Sequence, residues 1–222
     1  MVTAGQTPPD GAVSQLADRA YFDLRDRIVT LRLPPGSCLR ENELMRELHI
    51  GRTPLREAVK RLALEHLVEV RPRRGTYVTD VNAADIAQIS EVRAELEAHA
   101  ARLAAERIDE SLRAEAEALG AELDALEAPD SEALMRLDER VHRLAWRASG
   151  NAFLASTLEG YFALSLRVWY LVLDRVPALP QAVVDHRELL DALLSGDGGR
   201  AAAHMRVHVL LFQRDVLRAF ER

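Results

Sequence analysis

Residues 40–78 decide the architecture, and they read RENELMRELHIGRTPLREAVKRLALEHLVEVRPRRGTYV. Two short helical patterns, at residues 41–48 and 52–64, are separated by a turn of three residues. The second pattern repeats apolar residues at i, i+4 and i+7, which is typical of a helix that packs on a core. Two strand patterns follow, at residues 67–70 and 76–81. This order predicts a helix, a tight turn, a second helix and a β-hairpin.

The second helix carries a cationic face. Arg52, Arg56 and Lys60 recur at i, i+4 and i+8, so they lie together on the side opposite the apolar residues. Pro54 falls in the first turn, where a missing N–H is tolerated. The loop between the two strands adds three arginines and a glycine. These features predict a winged helix-turn-helix, whose second helix enters the DNA major groove while the wing meets phosphates or the minor groove. A helical hairpin with a solvated charged face would show the same periodicity.

The residues also resemble a known family. The run RTPLREA at residues 52–58 is similar to the recognition helix of GntR-type bacterial regulators. The resemblance extends on both sides through Gly36, Leu39, Glu41, Leu44, Leu48, Arg61, Leu62, Leu67, Val68, Arg74, Gly75 and Val78. It implies that Arg52 and Arg56 approach base edges and that Thr53 approaches phosphate. The full set that we expect at the DNA is Arg40, Arg52, Thr53, Arg56, Lys60, Arg73, Arg74 and Gly75.

Two positions depart from that family. Position 51 is Gly where the family often has Ser, so the helix start has no hydroxyl cap. Position 42 is Asn where some relatives carry an arginine that contacts a base. The operator sequence of a relative therefore cannot be transferred to this chain.

Composition agrees with a chain of two parts. The 222 residues include 48% apolar and only 5% aromatic residues, which favours packed helices over a sheet sandwich. The formal net charge is −6. Residues 17–78 contain 13 Lys and Arg against 9 Asp and Glu, a net of +4, which leaves −10 for the remainder. A basic front and an acidic back indicate a nucleic-acid-binding domain attached to a domain of another kind.

The compartment can also be inferred from the residues. Cys38 is the only cysteine, so no intramolecular disulfide is possible, which suits a reducing cytosol. No signal peptide is evident, and no apolar run approaches the roughly 18 residues that a membrane span needs. We expect a cytoplasmic protein without a membrane partner.

We predict a mainly α protein in three parts: a disordered arm at residues 1–13, a winged helix-turn-helix domain at residues 14–81, and an antiparallel helical bundle at residues 82–222. The first helix of the DNA-binding domain is expected at residues 17–31. The bundle helices are predicted at residues 83–107, 110–126, 131–149, 151–174, 180–195 and 199–221, with breaks at Pro129 and at residues 149–150, 177–180 and 196–199.

Four side chains of the bundle could form a metal site. Asp138 and His142 are four residues apart and share a helix face, while His186 and His208 lie on two later helices. Imidazoles and a carboxylate from several helices can converge inside a bundle. Such a set suits a borderline divalent ion, Zn first, with Ni, Co or Mn as alternatives. Spacing alone leaves open that these histidines are hydrogen-bonded core residues.

The same residues resemble the ligand-binding domain of FCD-type GntR regulators. Asp138 and His142, Asn151 after Ser149-Gly150, and the later His186 and His208 follow the motif of that class in register. The resemblance implies that Asp138, His142, His186 and His208 are the metal ligands. Six helices would place the chain in the shorter subgroup of the class.

Effector contacts are implied by the same resemblance. Arg93 matches an arginine that this class places near the effector, although an ion pair with Glu97 at i, i+4 would explain it equally well. Asn151 belongs to the same set and is also expected to cap the helix that it opens. His204 lies one turn before His208 and could replace or supplement a ligand.

Taken together, the residues predict a one-component transcriptional regulator. We expect a homodimer on a near-palindromic double-stranded DNA operator, a repressor by default, whose affinity responds to a small organic acid bound at the metal. Two alternatives remain open. The metal ion could itself be the signal, or a site of three histidines and one carboxylate could activate water in a metalloenzyme. The cationic helix would then be unexplained.

Overall fold

The computed structural model describes residues 10–127, 130–172 and 179–220, and the chain divides into two units between Val81 and Asn82. The described elements of the first unit are α1 (Asp10–Val29), β1 (Cys38–Leu39), α2 (Glu41–Glu47), α3 (Arg52–Leu64), β2 (Val68–Arg71) and β3 (Gly75–Val78). The three strands form an antiparallel sheet in the order β1-β3-β2. The prediction of a winged helix-turn-helix is confirmed. Strand β1 is not predicted from the sequence, because a strand of two residues is too short to show a periodic pattern.

Helix α1 packs against α3 to make the core of the first unit. Leu24 and Ile28 of α1 and Leu55 and Leu62 of α3 are fully buried. Burial of one such side chain contributes roughly 1.5–3 kcal/mol, so this contact is what holds the cationic helix in place. Helix α1 begins at Asp10, within the segment predicted to be a disordered arm, and residues 1–9 lie outside the described part of the chain.

The wing is a tight hairpin between β2 and β3. The amide of Arg74 donates to the carbonyl of Arg71 over 3.0 Å, and Arg73 adopts a positive φ of 61°. Gly75 follows with φ of 105°, a conformation that side chains disfavour, and a Cβ there would lie 3.7 Å from Sγ of Cys38. That distance is an ordinary contact, so the positive φ, and not a lack of space, is why glycine suits this position of the hairpin.

The described part of the second unit is helical: α4 (Ala83–Arg107), α5 (Glu110–Asp124), α6 (Ser131–Ala148), α7 (Ala152–Val172), α8 (Leu179–Val184), α9 (His186–Ser195) and α10 (Gly198–Phe220). Helix α4 is central and packs on α10, α6, α7 and α9. The side chains of Asn82, Asp109 and Asp130 accept hydrogen bonds at the starts of α4, α5 and α6. Such caps set where the helices begin.

One predicted helix is two helices in the structure. The pattern at residues 180–195 is interrupted at Asp185, where φ of −60° and ψ of −19° give a tight 3₁₀-like turn. No proline or glycine marks this break, and the described part of the second unit forms seven helices where the sequence predicts six. The interruption makes His186 the first residue of α9. The predicted break at Pro129 lies outside the described residues, as do residues 177–178 of the predicted break at 177–180. Residues 179–180 of that break are instead the first residues of α8.

None of the described helices is long and apolar enough to cross a membrane.

Candidate metal centre and DNA-binding surface

The second unit brings one carboxylate and three imidazoles together. Asp138 and His142 come from α6, His186 from the start of α9 and His208 from the middle of α10. All four are buried, and one ligand atom of each lies within 4.8 Å of the ligand atoms of the others. The spacing of Asp138 and His142 on one helix face is a local property, whereas the other two arrive through the packing of α9 and α10.

Asp138 is the common neighbour in this cluster. Its Oδ1 lies 2.8 Å from Nε2 of His186, 3.7 Å from Nε2 of His142 and 3.6 Å from Nε2 of His208. The Nε2 atoms of His142 and His208 are 3.3 Å apart. Every imidazole thus turns the same ring nitrogen towards one point.

The donor set fits a divalent metal ion. The Oδ2 of Asp138 and the Nδ1 of His186 are buried and have no hydrogen-bond partner among the described residues. A buried polar atom without a partner is costly, and a metal ion would satisfy the carboxylate oxygen. Three imidazole nitrogens and one carboxylate suit Zn²⁺ and its neighbours in the first transition series. The cluster can hold a metal ion, and its chemistry does not identify which.

A second carboxylate lies behind the cluster. Glu97 of α4 is fully buried, and its Oε2 lies 2.5 Å from Nδ1 of His142 and accepts a hydrogen bond from Nε1 of Trp146 over 3.1 Å. Its Oε1 accepts from Nε of Arg93 over 2.9 Å. Because an ionised carboxylate can only accept, Nδ1 of His142 must carry the proton.

The charges of these groups support one another. Burial raises the pKa of Glu97, but the charge of His142 and the donors around the carboxylate outweigh it and lower the pKa to about 2. Burial lowers the pKa of His142, yet Glu97 and Asp138 raise it above the ordinary value. Burial, together with the neighbouring imidazoles, lowers the pKa of His208 well below its ordinary value. In the metal-free protein these shifts favour the charged form of His142, which lies between two carboxylates, and the neutral form of His208.

The first unit exposes the cationic face of α3. Arg52, Thr53 and Arg56 are all exposed, while the opposite face of the helix is buried. Within the described chain, neither Arg52 nor Arg56 has an acidic partner, so both guanidinium groups are available. Lys60 on the same face has its Nζ 2.7 Å from Oε1 of Glu57. This exposed ion pair contributes little to stability, so Lys60 can exchange Glu57 for another anion.

The wing extends this basic surface. Arg73, Arg74 and Gly75 are exposed at the hairpin turn, and the described residues place no carboxylate against either arginine. Arg40, just before α2, is exposed and pairs with Glu43 at 3.1 Å. By contrast, Arg61 is held against the core of the unit by Asp18 and stacks 3.9 Å from the ring of Tyr21.

The sequence matches known family profiles over both units. Residues 16–78 match the gntR family of bacterial regulatory proteins, and residues 88–211 match the FCD domain. The chain belongs to the GntR family. It is a GntR regulator with an FCD domain at its carboxyl-terminal side.

Individual relatives of this GntR regulator agree. It is 30% identical over 210 residues to the transcriptional repressor RspR of Escherichia coli, covering 94% of this chain and 91% of RspR. It is 30% identical over 200 residues to the repressor GlaR of the same species, covering 86% and 90%. The fold resembles Escherichia coli McbR/YncC with a TM-score of 0.77 at 20% identity, covering 92% and 98% of the two chains. RspR and GlaR are transcriptional repressors, so the metalloenzyme alternative has no support.

The two residues expected at the effector have structural partners in this GntR regulator. Arg93 is buried, pairs with Glu97 and lies 4.9 Å from the ring centre of Phe162. The ion pair that the sequence offered as an alternative is therefore present. The Oδ1 of Asn151 accepts from the amide of Leu154 over 3.1 Å, which caps the start of α7 as expected.

His204 is not part of the four-residue cluster. Its Nδ1 lies 3.7 Å from a carboxylate oxygen of Glu188, and its ring centre is 6.5 Å from that of His186. Together with His208 it lines a cavity of about 210 Å³ between α8 and α10. Of the four residues of the cluster, only His208 lines this cavity.

Glu97 and Trp146 are the neighbours of the cluster that sequence reasoning missed. The spacing of Arg93 and Glu97 indicated a local ion pair and no more. Only the packing of α4 on α6 brings Glu97 against His142, and no pattern within either helix carries that information.

Proposed function

We propose that this GntR regulator binds a near-palindromic operator as a homodimer, and that a small carboxylate metabolite bound at a metal ion in the FCD domain changes its operator affinity. The observation that supports this most strongly is the buried cluster of Asp138, His142, His186 and His208 in a chain whose other unit exposes unpaired arginines. As a bacterial transcriptional regulator it would act in the cytoplasm.

On the DNA side, α3 would enter the major groove. Arg52 and Arg56 would contact base edges and Thr53 a phosphate, while Arg73 and Arg74 of the wing would contact phosphates or the minor groove. Arg40, Lys60 and the backbone of Gly75 would complete the contact. Two copies related by twofold symmetry would place two α3 helices on two half-sites, which is why we expect a near-palindromic operator.

On the effector side, the four ligands would hold Zn²⁺, or Ni²⁺, Co²⁺ or Mn²⁺. Such an ion can accept a fifth or sixth ligand, and the carboxylate of the metabolite would bind at that position. Arg93 offers a planar pair of donors that suits a carboxylate, so a ligand that reached it would share it with Glu97 or displace Glu97. Asn151 could offer only its amide N–H groups, because its oxygen caps α7.

The effector can act only by binding one arrangement of the DNA-binding units better than another. A coupling of about 1–3 kcal/mol would change operator affinity by roughly 5–150-fold. RspR and GlaR are named as repressors, and we propose the same sign here, with repression relieved by the ligand.

The test uses the full-length protein and fluorescence anisotropy on DNA from its own promoter. Zinc-loaded protein should prefer that DNA over a random duplex of equal length, and a panel of small organic acids, such as citrate and malate, should contain one that shifts the affinity at least fivefold. The His142→Ala variant should lose that response and keep its preference for the promoter. Equal affinity for promoter and random DNA would refute the proposed regulator.

The same titration distinguishes a metal sensor from a metabolite sensor. The completeness of the ligand set, three imidazoles and a carboxylate, is the observation that keeps the metal-sensing alternative open. In that case operator affinity would follow free Zn²⁺ with no organic acid present.

A further inference from the structure

Glu97 has a position that a simple ion pair does not explain. It is a fully buried carboxylate that is not itself in the ligand cluster, and it receives donors from Arg93, His142 and Trp146. Three donors around one buried carboxylate hold it in a single orientation, since each would lose a partner if the side chain turned away. The two carboxylate oxygens have different partners: Oε1 accepts a hydrogen bond from Arg93, and Oε2 accepts one from the ring of His142.

The contact with His142 decides which ring nitrogen faces the cluster. An imidazole binds a metal through one nitrogen, and the partner of the other nitrogen sets the tautomer and the ring orientation. With Nδ1 held 2.5 Å from Glu97, Nε2 is left without its proton once the ring is neutral, and it points at Asp138 and His208. The Nδ1 of His186 has no such partner among the described residues.

We propose that Glu97 is a positioning residue of the metal centre. Glu97 orients the ring of His142 so that Nε2 faces the ion, and it connects His142 to Arg93 through hydrogen bonds. This inference rests on the metal site proposed above. It adds a physical link between the arginine expected at the effector and a metal ligand, because both are hydrogen-bonded to one carboxylate. A carboxylate that drew Arg93 away from Oε1 would change the hydrogen bonding of the group that orients His142.

The first experiment measures metal affinity in the Glu97→Gln variant. Glutamine keeps the shape, but one end of its amide is a donor, so it faces either His142 or Arg93 with a donor against a donor. Loss of such a supporting group typically lowers metal affinity by about 10–100-fold. Competition with a chromogenic chelator for Zn²⁺, and the visible absorption of bound Co²⁺, should show that loss and an altered ligand field.

Glu95→Gln is the matched control. It makes the same chemical change two residues earlier on α4, where Glu95 is exposed and pairs with Arg206 of α10 at 2.8 Å. We expect Zn²⁺ affinity within about twofold of the wild type, since an exposed pair contributes little. If Glu97→Gln also stays within that range while the wild type binds Zn²⁺, the positioning role is overturned. A wild type that binds neither ion overturns the metal site itself, so the two failures are distinct.

A second measurement needs only the wild-type protein. In zinc-loaded, ¹⁵N-labelled protein, two-dimensional NMR of the His142 ring should show a protonated Nδ1 and a metal-bound Nε2. The Nδ1 proton should exchange slowly with water, because it is buried against Glu97. Coordination through Nδ1, or rapid exchange of that proton, would refute the proposal even if the Glu97→Gln variant failed to fold.

Discussion

Replacing Glu97 by glutamine should change how the metal-free protein responds to acid. The pKa of Glu97 is lowered from 4.5 to about 2 in the folded protein. A group with a depressed folded pKa contributes stability that is complete above its unfolded pKa and is lost as the pH falls towards its folded pKa. The window for this residue therefore runs from about pH 4.5 down to about pH 2.

The size of the effect follows from that shift. A change from 4.5 to about 2 corresponds to roughly 3 kcal/mol in all, of which about 2 kcal/mol is lost between pH 5 and pH 3. The variant has no carboxyl group at this position and cannot lose that contribution. At pH 7 it should be the less stable protein by about 3–5 kcal/mol, because Arg93 and His142 lose a buried counter-charge. The difference between the two proteins should narrow by about 2 kcal/mol as the pH falls from 5 to 3.

Urea unfolding in the presence of EDTA measures this difference. The only two tryptophans, Trp146 and Trp169, both lie in the second unit, so their fluorescence follows the unit that contains Glu97. Glu95→Gln should keep the pH dependence of the wild type. A difference between wild type and Glu97→Gln that stays constant from pH 5 to pH 3 would show that Glu97 is not an ionised partner of His142, and the charge arrangement derived above would be wrong.

Three further predictions concern the metal and the DNA. Glu97 and Asp138 raise the pKa of His142 above its ordinary value, so Zn²⁺ must displace a proton from that ring. Competition with a chelator should therefore show Zn²⁺ affinity rising about tenfold per pH unit from pH 6 until the raised pKa is passed. A Zn²⁺ affinity that stays constant over that range would contradict this prediction. The His186→Ala variant should lose the rise in melting temperature that Zn²⁺ gives the wild type, because ligand binding to the folded state is what stabilises it; an unchanged rise would remove His186 from the ligand set. The Arg56→Ala variant should weaken specific binding by about 1–3 kcal/mol with little change on random DNA; an equal loss on both would assign Arg56 to phosphate.

Local patterns in the sequence were sufficient for most helices. The sequence predicts the cationic helix at residues 52–64, and it is found at Arg52–Leu64. It predicts α4 at residues 83–107, and that helix is found at Ala83–Arg107. Periodicity and capping residues act within a few turns of one helix, so they can be read without knowing the rest of the fold. The division of the predicted helix at residues 180–195 into α8 and α9 could not be predicted from the sequence, because neither proline nor glycine lies at Asp185.

The sequence alone thus determined which residues share a face: Asp138 with His142 on α6, and the arginines of α3 opposite its apolar stripe. Only the tertiary structure decided what lies across from each face. Glu97 is one example, since its spacing from Arg93 indicates a local pair, while the packing of α4 on α6 makes it the partner of His142. The physical reason is that a helical period specifies a direction around one axis, and the neighbour in that direction depends on how all the other helices fill the core.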